Sequence, residues 1–364
     1  MVEDVGGKQG ENADQIFSNL YPLLYAAISP ISGCYERVAE EIAALADAHL
    51  GIRGKTVLDI GCGFGTTTVA AAAYAPKKIC AVDNSEGMIE LLTETLIGNR
   101  NLSEWMSGKE GALEVLGEFY EPTLRHLLAM RNAFNGGIFL RRGGELKAMK
   151  ADGLSVDLWL NQIDIVIGGN YLHWPVNKLL AELKRGSPEV SSEVLLKTAC
   201  SMALRPLANV MKPGGIMVLM EGEDFVVFDD EPEEEQDFRG NVAVEHPVSL
   251  RFYSILTEIL EKRYGIKEDI PKRSNLFPKS MLANIFAEGG FILKRFHHVE
   301  DVRRNYCDSI FASFPMVMGS VGIPFDEKLK LGEEVRLKLL ASVTAEEMAV
   351  PYRSQMFFQV LMRS

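Results

Sequence analysis

The sequence predicts an α/β protein whose central sheet is mostly parallel. Apolar segments of strand length alternate with longer amphipathic segments, and turns rich in Gly, Pro, Asn or Asp separate them. The clearest unit is the run 56–68, in which an apolar strand enters a turn with three glycines and then an Ala-rich helix. A second apolar strand, Lys78–Val82, is followed directly by Asp83, eighteen residues after Gly65. Both observations are typical of parallel strands joined by helices.

Two predicted helices precede this unit. Residues 13–50 follow a helical pattern that Pro30 and Gly33 interrupt, and the first part carries Tyr21 and Tyr25 among apolar residues. The first dozen residues are polar and Gly-rich, so we expect them to be frayed. Residues 1–50 are therefore predicted to form N-terminal helices that belong to a lid.

Seven strands are expected in the sheet. In chain order they are Thr56–Ile60, Lys78–Val82, Glu145–Lys150, Ile163–Ile167, Ile216–Met220, Phe291–His297 and Gln355–Met362. The predicted helices among them cover residues 67–74, 85–96, 190–211, 250–264 and 279–287. Residues 51–98, 145–222 and 279–364 would together form the core domain.

Three segments interrupt the alternation. Residues 99–144 contain helical patterns over 113–120 and 123–134 and are predicted to be a helical insertion. Residues 223–278 combine an acidic stretch with a lid helix, followed by a linker over 271–278. A further helical insertion is expected over 299–350. It includes the apolar run 311–318, which favours a buried lid core, with a hydrophobic substrate as the alternative.

Composition limits the function classes. Of the 364 residues, 47% are hydrophobic, which is ample for a buried core, and no run reaches the length of a membrane span. The formal net charge of −12 argues against a nucleic-acid partner, because phosphate contacts need a basic surface. Five scattered cysteines without C-x-x-C spacing favour a reducing, cytoplasmic location.

The acidic stretch accounts for much of the negative charge. Residues 224–237 hold eight Asp or Glu and no Lys or Arg. We interpret the stretch as a solvated surface loop. The alternative is that it repels anionic competitors or attracts a cationic partner.

The glycine turn indicates a nucleoside-containing ligand. Glycines at 61, 63 and 65 let the backbone pass close to a ligand, and an acid after the second strand commonly accepts ribose hydroxyls. In a dinucleotide fingerprint the third glycine would fall on Thr66. The chain instead reads D-x-G-x-G-x-G from Asp59.

This pattern resembles motif I of the class I S-adenosylmethionine-dependent methyltransferases. Further matches follow in order: Asp152 closes the third strand, Asn170 follows the fourth, residues 171–175 resemble the loop beside the methyl group, and residues 211–215 resemble the L-x-P-G-G turn. The resemblance covers residues 35–98, 145–220, 279–298 and the C-terminus. It implies a Rossmann-like seven-stranded sheet with a reversed last strand, a helical lid, S-adenosyl-L-methionine as methyl donor and S-adenosyl-L-homocysteine as product.

Within the family the chain looks most similar to small-molecule methyltransferases of the trans-aconitate and malonyl-carrier-protein type. It departs from these compact enzymes at residues 99–144, 222–275 and 299–350. The implied partner is a small-molecule substrate, without nucleic acid or membrane, and a homodimer is compatible with the pattern. The three long segments leave the acceptor and the attacked atom (C, O or N) open.

The resemblance also implies a set of cofactor residues. They are Asp59, Gly61, Cys62, Gly63, Gly65, Asp83, Asn84, Met88, Ala151, Asp152, Gly153, Asn170 and Tyr171. Asp59 would shape the loop and neutralise the ammonium group of the cofactor, and Asp83 would accept both ribose hydroxyls. Met88 could equally serve core packing, and Asp152 could be a helix cap.

A general base is required only if the acceptor must lose a proton. His173 is the first candidate, because imidazole titrates near neutral pH. A loop histidine that caps backbone groups is its alternative interpretation. Glu221 and Glu223 follow as second-rank candidates. The predicted substrate-binding residues are Tyr21, Tyr25, His173 and Trp174, and Trp174 could instead be a core residue.

No metal is expected. His297 and His298 stand beside Glu300 and Asp301, but neighbouring residues on a strand point to opposite faces. The predicted function is therefore methyl transfer from S-adenosylmethionine to a small organic molecule. The alternatives are an NAD(P)-dependent oxidoreductase and a non-catalytic protein of the methyltransferase fold that binds a partner.

Overall fold

The computed structural model contains one large, seven-stranded sheet. It describes residues 21–109, 112–158, 160–222, 226–227, 246–266, 277–303, 323 and 325–364. The strands run in the order β3-β2-β1-β4-β5-β9-β8. They are β1 Thr56–Ile60, β2 Lys78–Asp83, β3 Glu145–Lys150, β4 Ile163–Gly169, β5 Met211–Gly222, β8 Phe291–Arg303 and β9 Tyr352–Arg363. All seven predicted strands are confirmed.

The sheet is parallel except at one strand. β1 pairs in parallel with β2 and β4, and β3 and β5 extend this parallel set on either side. β9 is antiparallel to both β5 and β8, which confirms the reversed last strand. Because the chain order reverses between β1 and β4, the carboxyl ends of these two strands flank a topological switch point, where ligands bind in open α/β sheets.

Both faces of the sheet are buried. Along β1, Val57 faces one apolar cluster and Leu58 the other, and Ile165 and Val166 repeat this alternation on β4. Helices therefore cover both sides, as a parallel sheet requires.

The helices on the first face come from the N-terminal half of the described chain. They are α1 Tyr21–Ser32, α2 Cys34–Leu50, α3 Thr66–Ala72, α4 Glu86–Leu96, α5 Leu102–Ser107, α6 Ala112–Leu116, α7 Tyr120–Asn135 and α8 Ile138–Arg141. The second face is covered by α9 His173–Gly186, α10 Ser192–Val210 and α12 Leu282–Glu288.

Of the two residues predicted to interrupt the N-terminal helical pattern, Pro30 and Gly33, only Gly33 does so. Helix α1 continues through Pro30 to Ser32, and the chain turns at Gly33, whose φ of 59° is in the left-handed region. The predicted helix from Ser85 is confirmed, since the Ser85 side chain accepts a hydrogen bond from the Met88 N–H and caps α4.

The insertion 99–144 contains more helices than the sequence pattern indicated. Helix α5 was not predicted, although Asn101 caps it by accepting from the Ser103 N–H. The stretch predicted as one helix over 113–120 divides into α6 and a 3₁₀ turn, Gly117–Phe119. The division occurs at Gly117, which has a φ of 49° and cannot continue an α-helix in that conformation.

The predicted loop over 171–175 is wrong beyond its first residues, because helix α9 begins at His173. Pro175 lies in the first turn of this helix, where a missing backbone N–H costs nothing. The helical interpretation of 299–350 is also wrong at its start. Residues 299–303 continue β8 and pair with β9, from Val299 opposite Met356 to Arg303 opposite Tyr352.

A third apolar cluster lies outside the two that cover the sheet. It joins α11 Pro247–Tyr264 to α13 Phe325–Ser342, with Phe252, Leu256 and Leu339 fully buried. A short helix α14, Ala345–Ala349, packs beside α11. Val226–Val227 (β6) and Phe277–Pro278 (β7) form a two-stranded sheet, so the predicted linker ends in a strand.

Several predictions fall outside the described residues. They concern the frayed N-terminus, most of the acidic stretch 224–237 and the apolar run 311–318. Within the described ranges, no helix has the combination of length and apolar character needed to cross a membrane.

Candidate functional site

A cavity of about 630 Å³ opens at the carboxyl ends of β1, β2, β4 and β5. This volume lies within the range of roughly 300–1,000 Å³ that is usual for small-ligand sites. The position is the switch point of the sheet, so the fold itself places the cavity where the glycine turn ends.

The glycine turn forms one wall of this cavity. Gly61 and Gly63 have φ angles of 65° and 51°, which disfavour any side chain. A Cβ at Gly61 would lie 3.0 Å from Cδ2 of Tyr171, whereas a Cβ at Gly63 would meet nothing within 4 Å. Gly63 therefore leaves open space beside the backbone at the cavity wall.

Gly65 has a different task. Its φ is 100°, and a Cβ there would lie 3.1 Å from the Leu92 side chain and 3.2 Å from Leu96. It is not among the residues that line the cavity. Gly65 thus lets the turn pack tightly against helix α4.

Asp83 connects the turn to the second strand. One carboxylate oxygen accepts from the Gly63 N–H at 3.0 Å, and the other accepts from the Ser85 N–H at 2.8 Å. Burial raises the pKa of Asp83, while these backbone hydrogen bonds oppose that shift. A carboxylate offers about four acceptor positions, so Asp83 can still accept a hydroxyl donor from the cavity.

Asp59 lies behind the wall and has no exposed surface. Its Oδ2 accepts from the Thr68 hydroxyl at 2.6 Å, which ties the end of β1 to helix α3. Its Oδ1 is buried without a hydrogen-bond partner among the described residues. Burial raises the pKa of Asp59 to about 7, and the nearby Asp83 adds to the shift.

The far side of the cavity is lined by the turn after β3. Asp152 accepts from the Leu154 N–H at 2.9 Å and lies 3.5 Å from the ammonium group of Lys178. The predicted alternative for Asp152 is therefore observed, because it caps a turn, yet it also lines the cavity.

Tyr171 crosses this end of the cavity. Its ring passes Gly61, and its hydroxyl lies 2.0 Å from the position that a Cβ would take at Gly153. A side chain at residue 153 would thus displace the phenol. The hydroxyl is buried and makes no hydrogen bond within the described structure, and burial raises the pKa of Tyr171.

The opposite end of the cavity holds a histidine and a glutamate. Glu221, at the end of β5, is fully buried, and one of its oxygens lies 2.7 Å from Nδ1 of His173. Its other oxygen accepts from the Leu172 N–H at 2.6 Å. Leu172 precedes helix α9, so this carboxylate caps the helix and favours its start at His173.

Part of the chain matches a known protein domain. Residues 57–115 match a protein-family profile described as a methyltransferase domain. The matched segment includes the glycine turn and Asp83. The match supports a class I S-adenosylmethionine-dependent methyltransferase, as the glycine turn and the residues downstream of it predict.

One solved structure supports the fold, and a second has a lower similarity. A structure described as loganic acid methyltransferase with SAH is 14% identical, with 96% of each chain covered and a TM-score of 0.52. The cyclopropane synthase MmaA2 from Mycobacterium tuberculosis is 13% identical, with 88% of this chain and 82% of that chain covered and a TM-score of 0.42. None of the curated proteins matches this chain in sequence.

The cavity of the methyltransferase fits its cofactor. S-adenosylmethionine, when bound, supplies a methyl group on a positively charged sulfur. Open space at Gly63 allows close approach of a ligand to the backbone, and Asp83 presents a carboxylate for hydroxyl groups. The unpartnered hydroxyl of Tyr171 adds a polar group at the same end.

The structure brings most of the predicted site residues together. The cavity wall contains Tyr21, Tyr25, Gly61, Cys62, Gly63, Asp83, Asn84, Met88, Ala151, Asp152, Gly153, Asn170, Tyr171, His173, Trp174 and Glu221. Asp59 and Gly65 are absent from the wall, and Glu223 lies outside the described residues. Trp174 is 51% exposed, which excludes the alternative that it is a core residue.

Tyr21, predicted to bind the substrate, lies near the end of the second strand. It packs on Met88, and the charge of Asp83 contributes to raising the pKa of Tyr21, after burial and Tyr25. Tyr21 is therefore close to the carboxylate that is predicted to accept the ribose hydroxyls.

Sequence reasoning missed other wall residues. They include Tyr35, Val38, Phe64, Thr66, Thr67 and Lys178. Tyr35 stands two residues after the break at Gly33, so its position beside the turn between the two N-terminal helices was the signal that could have identified it. Lys178 had none, because helix α9 was not predicted.

Metal ligands are not assembled in the described part of the chain, where no group of three His, Cys, Asp or Glu could hold an ion. His297 instead lies 3.2 Å from Glu41 and stacks on Phe358, whereas His298 lies near Phe357. The two histidines thus point to opposite faces of β8, as expected.

Proposed function

We propose that this methyltransferase transfers the methyl group of S-adenosylmethionine to a small organic acceptor. The observation that carries the proposal is the continuity of the cavity. One cavity joins the glycine turn and Asp83 to His173, Trp174 and Glu221. A donor held at the first end would present its methyl group toward the second end, where an acceptor of limited size has room.

In this proposal the cofactor residues divide the ligand among them. Gly61 and Gly63 would lie against its amino-acid part, and Asp83 would accept the ribose hydroxyls. Met88 and Tyr21 would enclose the nucleoside, since the two side chains are in contact and both line the cavity. Asp152 and Tyr171 would face the adenine.

The cavity has two pairs of aromatic side chains in its wall. The rings of Tyr25 and Tyr35 have centroids 5.1 Å apart, and those of His173 and Trp174 are also 5.1 Å apart. Such surfaces suit a flat or apolar organic molecule better than a polymer backbone. The name of the loganic acid methyltransferase likewise indicates a small organic molecule as acceptor.

The lid in this proposal consists of the N-terminal helices. Tyr21, Tyr25, Tyr35 and Val38, from α1 and α2, line the cavity. The predicted lid helix α11 and the described part of 325–349 contribute no residue to the wall. Closure by α1 and α2 would exclude water during an in-line displacement, whose rate depends mainly on alignment. We place this reaction in the cytoplasm on the basis of the cysteine pattern.

The proposal is tested by following the methyl group. Purified enzyme is incubated with methyl-labelled S-adenosylmethionine and a cell extract, which is then separated into small-molecule, protein and nucleic-acid fractions. We expect label in the small-molecule fraction. D83N should reduce donor affinity by about 10- to 100-fold, because hydrogen bonds to a charged group contribute about 1.5–3 kcal/mol.

D157N is the matched control. Asp157 is an exposed residue that bonds Asn209 and does not line the cavity, so its substitution should leave labelling unchanged. Label found only in protein or nucleic acid would refute the small-molecule acceptor. Binding of S-adenosylhomocysteine without labelling of any fraction would favour the non-catalytic, partner-binding alternative. The match to a methyltransferase domain favours methyl transfer over the NAD(P)-dependent oxidoreductase alternative.

A further inference from the structure

Glu221 is a buried carboxylate that the cofactor site does not use. It lies in the sheet opposite Phe357 of β9 and has no solvent-exposed side-chain surface. Both of its oxygens are engaged by α9, one by the Leu172 N–H and the other by His173. Burying a carboxylate is costly unless its partners are well placed, so this arrangement holds the side chain in one orientation.

The pair also determines which nitrogen of His173 carries the proton. A carboxylate only accepts hydrogen bonds, so the 2.7 Å contact requires the proton on Nδ1. In the neutral ring, Nε2 then has the free lone pair. The His173 side chain is 25% exposed and lines the cavity, whereas Glu221 is covered.

We infer that Glu221 is a positioning residue that holds His173 as the general base for an acceptor whose attacked atom carries a proton, a hydroxyl or an amine. The inference rests on the proposed function, since it concerns the acceptor end of the same cavity. It joins two residues, 48 positions apart, that the sequence offered only as separate candidates.

The charges of the cavity favour this acceptor class. The other charged side chains in the described wall are Asp83, Asp152 and Lys178. Lys178 is the one Lys or Arg in that part of the wall, and it lies 3.5 Å from Asp152. An acceptor that is already anionic, such as a carboxylate, would meet a wall of net negative charge in which the lysine is already paired with Asp152. A neutral O–H or N–H acceptor needs a base, and His173 supplies one.

The step balances as follows. A bond forms between the acceptor atom and the methyl carbon, the carbon–sulfur bond breaks, and its electron pair remains on sulfur. His173 accepts the acceptor's proton at Nε2. Glu221 stabilises the resulting imidazolium through Nδ1–H, and the proton then leaves to water.

The test measures the tautomer of His173 in the intact enzyme by ¹⁵N NMR, with H173N to assign its signals. We expect the wild-type neutral ring to be protonated at Nδ1. In E221Q the glutamine oxygen can keep the Leu172 N–H bond while its amide N–H donates to the ring, so the proton should move to Nε2. That nitrogen could then no longer accept a proton. E41Q, at the His297 pair, is the matched control and should leave His173 unchanged.

Activity gives a second readout with small phenols, alcohols, amines and carboxylic acids as probes. We expect turnover of O–H or N–H acceptors to fall at least 100-fold in kcat in E221Q, with unchanged affinity for S-adenosylhomocysteine. An Nε2-protonated wild-type ring, or a tautomer that E221Q does not move, would overturn the inference. Turnover restricted to carboxylic acids would do the same. If the wild type binds S-adenosylhomocysteine but methylates only macromolecules, the proposed function fails while the tautomer result stands.

Discussion

Asp59 is an acid at the edge of the site without a basic partner. The Thr68 hydroxyl donates a hydrogen bond to Oδ2, and Oδ1 is buried without a partner in the described structure. Burial therefore raises its pKa to about 7. Since the unfolded chain releases this proton near pH 4, the folded protein binds more protons between these two pH values. Stability contributed by the protonated form is thus lost as the pH rises from about 4 to about 7.

This linkage leads to a prediction for Asp59→Asn in the cofactor-free protein. The variant cannot ionise at this position, so its free energy of unfolding should fall less than that of the wild type between pH 5 and pH 8. Over this pH range the difference between the two proteins should amount to at most about 3 kcal/mol, because the folded and unfolded states differ in protonation over about two pH units of it. Urea unfolding at several pH values measures it, with D157N as the exposed control. Parallel pH profiles for D59N and the wild type would show that Asp59 is ionised throughout.

The position of a site residue could be predicted from the sequence where that position depends on neighbouring residues in the chain. The position of Asp83 in the cavity wall could be predicted because it directly follows the second strand, and that of the glycines at 61 and 63 because they form the turn after the first strand. The pairing of Glu221 with His173 could not be predicted. It depends on β4 and β5 lying side by side, and neighbouring strands bring together residues that are far apart in sequence.

At the scale of elements, α4 shows how the inserted segment supports the core. Arg131, on α7 within the insertion 99–144, donates to the carbonyl oxygen of Thr95 at 3.0 Å, to that of Arg100 at 2.9 Å and to that of Glu94. The last turn of a helix has carbonyl groups without intrahelical donors, and a cation there also favours the helix dipole. Arg131 therefore acts as a C-terminal cap contributed by another helix.

We expect Arg131→Ala to loosen the C-terminal end of α4. Several carbonyls would lose a charged donor, so the free energy of unfolding should fall by about 2 kcal/mol. Hydrogen exchange should accelerate first in the last turn of α4. Arg125→Ala is the control, because Arg125 lies on the exposed side of α7, the helix that also carries Arg131. Equal effects of R131A and R125A would indicate helix propensity alone as the cause.

Helix α9 is an element that the sequence pattern did not predict. Its first turn contains His173, Trp174 and Pro175, a sequence that reads as a loop when taken locally. The carboxylate of Glu221 caps this turn from another strand. Tertiary contacts of this kind override local pattern, and they explain why 171–175 was misinterpreted.

At the scale of the molecule, the described residues form two apolar clusters on the sheet and a third between α11 and α13. The third cluster shares no buried residue with the cofactor cavity. Arg336 of α13 bonds Glu118 in the insertion, which connects this cluster to the rest through a surface ion pair. Exposed ion pairs contribute little stability, so the third cluster should open more readily than the sheet.

The prediction concerns Leu339→Ala, which removes a fully buried side chain of that cluster. Large-to-small core substitutions cost about 2–5 kcal/mol. We expect faster hydrogen exchange in α11 and α13, unchanged exchange in β1 and β4, and unchanged affinity for S-adenosylhomocysteine. Leu219→Ala, at the centre of β5, should instead accelerate exchange across the sheet. An equal acceleration in β1 for L339A would mean that the molecule unfolds as one unit.

The sequence by itself determined the α/β class, the seven strands, the reversed strand and the donor. These depend on short-range patterns, namely apolar periodicity, the spacing of glycines and an acid at a strand end. Only the tertiary structure decided that Asp59 and Gly65 lie behind the cavity wall, that Tyr21 packs on Met88 near Asp83 and that Glu221 meets His173. Such facts depend on which strands are neighbours and how helices pack over them, and long-range packing leaves no local pattern in the chain.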